Sequence, residues 1–302
     1  MSSPKILITG ASGFTGRHAI DYFSNNGMEV VAVVRTKTTF QHNMNYHIEE
    51  CDLINGQAVN QLIEKIKPDY VLHLAGRSSV EESWKSPAYY IMTNVISTLN
   101  LLEALRFHCS ESRTVIVGSA LQFDPRITPN PVHPYGFSKG IQILVAESWK
   151  RLFGLNITIA KPSNLIGPGF SNGVCSVFAR KISDMEMGKI QPILEVSNLT
   201  SGRDFLDVRD AVRAYDYLLK MNTIEDAYEI CTGITRPLEQ VISTFQSLTE
   251  ITLTIKDKKV TSTQFSPMMD NSKMRALHWE PLIPFEQSLY ETLQFYRVNE
   301  SS

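Results

Sequence analysis

Five short apolar runs punctuate the first half of the chain: "KILIT", "EVVAVV", "YVLHLA", "RTVIVG" and "NITIA". They are rich in Ile and Val and bounded by turn residues, the pattern of strands buried on both faces of a sheet. Longer amphipathic segments lie between them, at about Thr15–Asn26, Gln57–Lys67, Pro87–Phe107 and Pro134–Phe153, and read as helices. The alternation predicts a parallel sheet covered on both sides, a doubly wound α/β fold of Rossmann type. After Pro162 the pattern loosens. "PSNLIGPGFSNG" reads as a loop, "VCSVFARKISDMEM" as a helix, "IQPILEV" as a strand, and "DVRDAVRAYDYLLKM" and "PFEQSLYETLQFYRV" as helices. A dinucleotide-binding domain over residues 1–162 is expected, followed by a smaller substrate-binding lobe over 163–302. Some segments of that lobe are expected to return to the sheet.

Composition narrows the picture. The 302 residues are 43% hydrophobic, enough for a large core, and the formal net charge of −2 points to neither a nucleic-acid nor a membrane partner. Cys51, Cys109, Cys175 and Cys231 are far apart and form no Cys/His cluster, so no metal site is expected. There is no apolar leader, and no run approaches the roughly 20 residues that span a bilayer. A cytoplasmic protein is the expectation.

Gly10, Gly13 and Gly16 follow the first strand and open the first helix. Gly10 permits the tight turn, Gly13 lets the backbone approach a pyrophosphate, and Gly16 allows close helix–strand packing. The helix N-terminus then offers its N–H groups to phosphate. At the end of the second strand, where an acidic residue would hold the ribose of NAD, stand Val34 and Arg35. Arg pairs with a 2′-phosphate, so NADP(H) is favoured and NAD(H) remains possible. A solvated Arg at a strand end is the alternative. Asp52 is a candidate for the adenine amino group, or else a turn residue.

In "VHPYGFSKGIQ", Tyr135 and Lys139 stand one helical turn apart, on one face. A nearby ammonium favours a phenolate, so the Tyr135 pKa is expected to be lowered, making it a general acid or base. Ser119 ends the preceding strand and is a candidate to hold the reacting oxygen.

These pieces, with "TGASGFTG", "HLAG", "PSNLIGPG" and "RDFLDVRDAVRAY" in the same order, resemble the extended short-chain dehydrogenases/reductases of the nucleotide-sugar epimerase/dehydratase group. Residues 73–105 are most similar to GDP-4-keto-6-deoxymannose reductases and GDP-mannose dehydratases. The resemblance implies Tyr135 as acid/base, Lys139 as its tuner and Ser119 as support. It also implies that Ser12, Phe14, Thr15, Leu53, Leu74, Ala75, Gly76 and Pro162 surround the cofactor, and that Asn164 and Arg203 meet the sugar nucleotide. Ser78 and Ser79 are candidates for the sugar, with a helix cap as the alternative. For Arg203 the alternative is an ion pair with Asp204 or Asp207.

Dehydratases of this group carry an acidic pair directly after the active-site Ser or Thr. Here Ala120 and Leu121 stand there, and neither carries a proton. The expectation is therefore a reductase of a nucleoside-diphosphate 4-keto-6-deoxyhexose, with a 4-epimerase and a non-catalytic NADP-binding protein as alternatives. Relatives that take GDP-sugars have an Arg-Pro-x-Glu segment before the tail. "VTSTQFSPMMDNSK" has no Arg, so UDP, dTDP and CDP carriers stay open. His73 reads as a satisfied core histidine, and Trp84 and Trp149 as packing residues. By resemblance, the helices at 87–107 and 134–153 form a four-helix homodimer interface.

Overall fold

In the computed structural model, which describes residues 3–36, 46–221, 227–258 and 268–299, all five apolar runs are strands. They are β1 (Lys5–Thr9), β2 (Glu29–Val34), β4 (Tyr70–His73), β5 (Arg113–Val117) and β6 (Ile157–Pro162), joined by β3 (Tyr46–Glu50) and, later, β10 (Ala227–Ile230). The seven strands run in the order β10-β6-β5-β4-β1-β2-β3. β1 pairs in parallel with β2 on one side and β4 on the other, so the chain reverses its direction of winding at β1.

Helix boundaries follow local chemistry. Asn55 caps Gly56–Ile66 by accepting from Ala58 N at 3.2 Å, and Lys67 closes that helix at φ +47°. Pro87–Ile91, a π-helical turn over Met92–Ile96, and Ser97–His108 run on without a break in the chain. Pro134–Phe153 begins with proline at a position where no N–H is needed and ends at the left-handed Gly154. Apolar side chains of these helices and the strands, among them Leu7, Val31, Val71, Leu101, Ile116 and Ile143, fill the cores of the sheet.

The chain divides into two compact units. The first comprises Met1–Lys161 and Val212–Tyr228, the second Pro162–Ala211 and Glu229–Ser302. The second unit contains β7 (Asn164–Ile166), β8 (Ile193–Val196), β9 (Gly202–Asp207), β11 (Thr235–Pro237) and β12 (Thr254–Asp257). They form a three-stranded sheet, β11-β9-β7, and a β12-β8 pair. The helices Val174–Glu186, Leu238–Ser247 and Phe285–Asn299 bury Phe178, Phe205, Phe245, Leu289 and Leu293 together. "PSNLIGPGFSNG" is thus partly strand, because Asn164–Ile166 pairs in parallel with Phe205–Asp207. Residues 259–267, which hold most of the stretch lacking the Arg-Pro-x-Glu pattern, lie outside the described residues. Trp84 does not pack as expected: it is 64% exposed on the short Val80–Lys85 helix, whose buried residue is Ser83. Trp149 packs edge-on to Phe153 and donates to Glu103 Oε1 at 2.6 Å.

Candidate active site

The turn after β1 is shaped by what cannot fit there. Gly10 adopts φ +67°, and a Cβ on it would lie 2.7 Å from Ala75 N. A Cβ on Gly16 would lie 2.4 Å from the Gly10 carbonyl oxygen. Gly13 donates to that same oxygen at 3.0 Å and caps Phe14–Asn25, whose first turn, including Phe14 and Thr15, carries no acidic residue. Ser12 is exposed, and its carbonyl accepts from Arg17 Nε at 3.2 Å. Leu74 and Ala75 line the other side of the turn, with Ala75 N donating to Thr9 Oγ1 at 3.2 Å. A bare-backbone cradle at a helix start is what a pyrophosphate needs, so these residues fit the phosphates of a dinucleotide.

Around the turn, Arg35 ends β2 exposed, and its Nη1 donates to Tyr89 Oη at 2.9 Å. Asp52 accepts from Ile54 N at 3.1 Å and so serves as a turn residue here. The Leu53 side chain is buried in the core, and its carbonyl accepts from Asn100. Gly76 has φ +155°, and a Cβ on it would stand 2.7 Å from Asn94 Oδ1 and 3.6 Å from Lys139 Nζ. Ser78 is exposed. Ser79 is the helix cap, accepting from Glu82 N at 3.1 Å.

Tyr135 and Lys139 are both buried on the 134–153 helix. That helix is started by His133, whose Nδ1 accepts from Gly136 N at 2.8 Å and whose ring stacks on the Tyr135 ring with centroids 5.9 Å apart. Tyr135 is hydrogen-bonded to Ser119, whose Oγ also accepts from Leu121 N at 3.1 Å. The predicted Ser, Tyr and Lys are therefore assembled in one unit. The direction of the Tyr135 shift is not the expected one. Burial pushes its phenol up to about 12, against the opposing pull of the Ser119 hydrogen bond. The Lys139 ammonium exerts no opposing pull on the phenol; its Nζ donates to Val117 O and Gln142 Oε1, each at 2.9 Å. Burial in turn pushes Lys139 down to about 8.

Lys139 heads a buried chain of hydrogen bonds. Gln142 Nε2 donates to Thr98 Oγ1 at 3.0 Å, and Thr98 Oγ1 donates to Asn94 O at 2.8 Å. The Thr98 proton being spent, His73 Nε2 must donate to Thr98 Oγ1 across 2.8 Å. His73 Nδ1 then accepts from Thr9 Oγ1, also at 2.8 Å. Burial, and then the Lys139 charge, pushes His73 down to about 3, so the ring is neutral. It is the satisfied core histidine that the sequence suggests. Motif spacing does not single out Asn94 or Gln142. What marks them is a polar side chain at a core-facing position, where a buried polar group needs a partner.

In the second unit Pro162 is buried, and Asn164 Nδ2 donates to Asp204 O at 2.9 Å. Arg203 makes no ion pair among the described residues. Asp204 is taken by Thr232 and Ile234, and Asp207 by Arg209 and Ser288. The half-buried Arg203 guanidinium is pushed down by burial and lies near the Cys175 thiol. Among the described residues no group of His, Cys, Asp or Glu side chains is placed to hold a metal.

A pyrophosphate-shaped glycine turn at the centre of a parallel sheet, with a buried tyrosine and lysine beside it, is the equipment of a dinucleotide-using α/β enzyme. The chain belongs to the NAD dependent epimerase/dehydratase family, whose model matches residues 6–231. It is 29% identical to GDP-6-deoxy-D-mannose reductase of Pseudomonas aeruginosa, over 98% of this chain and 99% of that one. It is 28% identical to dTDP-glucose 4,6-dehydratase of Haemophilus influenzae, with the same coverage. The structure of RMD from Pseudomonas aeruginosa complexed with NADPH superposes with a TM-score of 0.80 at 27% identity, over 98% of this chain and 100% of that one. The family's work is nicotinamide-dependent chemistry on nucleotide sugars.

Proposed function

We propose that the protein reduces the C4 ketone of a nucleoside-diphosphate 4-keto-6-deoxyhexose, with NADPH as reductant and a GDP carrier favoured. The observation that carries this is the buried Tyr135 phenol, hydrogen-bonded to Ser119 and one helical turn from buried Lys139. Such a phenol can give its proton to a ketone oxygen, and ketone reduction needs a donor. Ala120 and Leu121 beside Ser119 supply no proton carrier for dehydration.

Bound NADPH would supply the hydride to C4. Tyr135 gives its proton to the C4 oxygen as that oxygen becomes a hydroxyl, and Ser119 holds the same oxygen. Lys139 faces the resulting phenolate as a cation. Arg203, with no carboxylate partner among the described residues, suits the substrate diphosphate, and Asn164, whose amide donates to the neighbouring Asp204 O, is the other candidate for the sugar nucleotide. The NADPH-bound relative and Arg35 at the end of β2 favour NADP(H) over NAD(H). Four cysteines without a disulfide suit a reducing, cytoplasmic setting.

The test is a panel of dehydratase-generated 4-keto sugars on GDP, UDP, dTDP and CDP carriers, followed by NADPH absorbance. One carrier is expected to give stoichiometric NADPH oxidation. Tyr135→Phe is expected to lower kcat about 10²–10⁴-fold while leaving NADPH binding in place. Interconversion of two sugars without net NADPH use would establish the epimerase instead, and no turnover of any sugar would favour the binding protein.

A further inference from the structure

Two arginines from different loops meet on one tyrosine. Arg35, at the end of β2, donates from Nη1 to Tyr89 Oη at 2.9 Å. Arg77, four residues past the end of β4, lies over the face of the same ring, its guanidinium carbon 4.7 Å from the centroid. The second contact is fixed from below. Fully buried Asn94 accepts from Arg77 N at 2.7 Å and donates to Arg77 O at 3.1 Å. Asn94 is itself anchored to Ser138 Oγ at 2.9 Å, and Tyr90 Oη pins the same loop through Ser79 O at 2.7 Å. The Arg77 backbone is thus clamped, and its side chain lies on the ring whose hydroxyl Arg35 holds.

The charge around this ring is not balanced. Arg35 has a neutral phenol as its hydrogen-bond partner and no carboxylate among the described residues. Arg77 has one, Glu82, at 3.1 Å, in an exposed pair of the kind worth little in water. Two guanidiniums on one tyrosine, Arg77 over its face and Arg35 at its hydroxyl, with a single carboxylate paired to Arg77, leave donors for a further anion. Guanidinium forks match the oxygens of a phosphate monoester.

We propose that Arg77 and Arg35, spaced by Tyr89, form a two-arginine site for the 2′-phosphate of NADPH, with Arg77 a second determinant of cofactor choice. The proposal rests on the reading of the protein as NADP-dependent. Arg35 alone would favour the 2′-phosphate. The clamped Arg77 adds a second charge-assisted contact that NADH has no group to use.

Dissociation constants of NADPH and NADH for the full chain, by titration calorimetry, test this. Arg77→Leu is expected to weaken NADPH about tenfold or more and to leave NADH within about twofold. Equal weakening of both cofactors would place Arg77 at the pyrophosphate and overturn the proposal, as would no change in either. Arg77→Leu also removes the ring contact and can unsettle the loop, so Glu82→Gln is the second variant. It leaves the loop in place and removes the competing carboxylate. It is expected to tighten NADPH severalfold without moving NADH, and unchanged or weaker NADPH binding counts against the site. Arg35→Leu keeps the two claims apart. If the unmodified chain shows no NADPH preference, the NADP reading itself has failed, and if Arg35→Leu leaves that preference intact, the two-arginine site is overturned. If Arg35→Leu abolishes it and Arg77→Leu does not, only the role of Arg77 falls.

Discussion

Tyr135 and Lys139 are both moved by burial, in opposite senses, because a low-dielectric site disfavours whichever form carries charge. The phenol keeps its proton, and the ammonium sits near the pH at which it loses its own. The consequence for activity has a definite sign. Lys139, at about 8, is charged below that pH and neutral above it. Loss of its charge removes the cation that faces the nascent phenolate. The kcat/KM for ketone reduction is therefore expected to be flat towards neutrality and to fall above about pH 8. Gln142 should set the position of that fall, since its Oε1 is one of two oxygens holding Nζ. Gln142→Leu leaves the ammonium one acceptor and should move the limb to lower pH, whereas Gln142→Glu should move it higher. The groups that hold Nζ are Val117 O on β5 and Gln142 Oε1 on its own helix, with neutral His73 on β4 within reach of its charge, and no carboxylate is bonded to it among the described residues. The limb is thus assigned to Lys139 itself, and a pH–rate profile indifferent to both Gln142 variants would contradict the assignment.

The elements that position these residues differ in how far they can be read from sequence. Central parallel strands announce themselves because both faces are buried and every position is apolar, as in Ile6–Ile8 and Val30–Val34. Several strands that escape notice are short or edge-placed, whereas the six-residue β9, central in its sheet, is hidden by the polar start of "GRDFLD". β3, "YHIEE", has one neighbour and keeps polar residues, and β7 and β11 span three residues each. They exist through tertiary pairing rather than through a pattern of their own. The same limit applies to charge. Helical spacing puts Tyr135 and Lys139 on one face, but it does not say that the lysine turns to a carbonyl and a glutamine, so the sense of the phenol's shift is not legible. Nor does a tryptophan at helical spacing reveal that Trp84 faces solvent. The glycine turn is legible because its requirement is steric and local. It also yields a firm expectation. A Cβ at Gly16 would meet three backbone atoms, Gly10 O, Ala11 O and Ala11 Cα, between 2.4 and 2.7 Å. None of these is a flexible side chain, so Gly16→Ala should cost about 1–3 kcal/mol by overpacking and displace the phosphate cradle. Thermal unfolding should show a lowered Tm, and NADPH binding should be lost. An alanine variant with unchanged Tm and affinity would mean that the close helix–strand contact is not what the turn depends on.

At the scale of the molecule, the first unit keeps apolar surface on the two helices that the sequence suggests as a shared interface. Phe107 is 65% exposed and Leu152 is 71% exposed, with Phe153 beside them. Arg106 bridges the helices: its guanidinium carbon lies 4.1 Å from the Phe107 ring centroid and 4.6 Å from that of Phe153, while Glu103 holds its charge at 2.9 Å. Large side chains are thus ordered on an outer face rather than withdrawn from it. Exposed apolar side chains at the ends of two neighbouring helices suit burial against an identical copy, since a twofold axis lets one patch serve both partners. The expected assembly is a homodimer through the Ser97–His108 and Pro134–Phe153 helices, four helices in all. Sedimentation velocity should find about twice the chain mass, and the pair Phe107→Asp with Leu152→Asp should convert it to monomer. The proposed catalytic residues Ser119, Tyr135 and Lys139 are buried within a single chain. The separated monomer should therefore still bind NADPH, and a double variant that remains dimeric would show that the copies associate through another face.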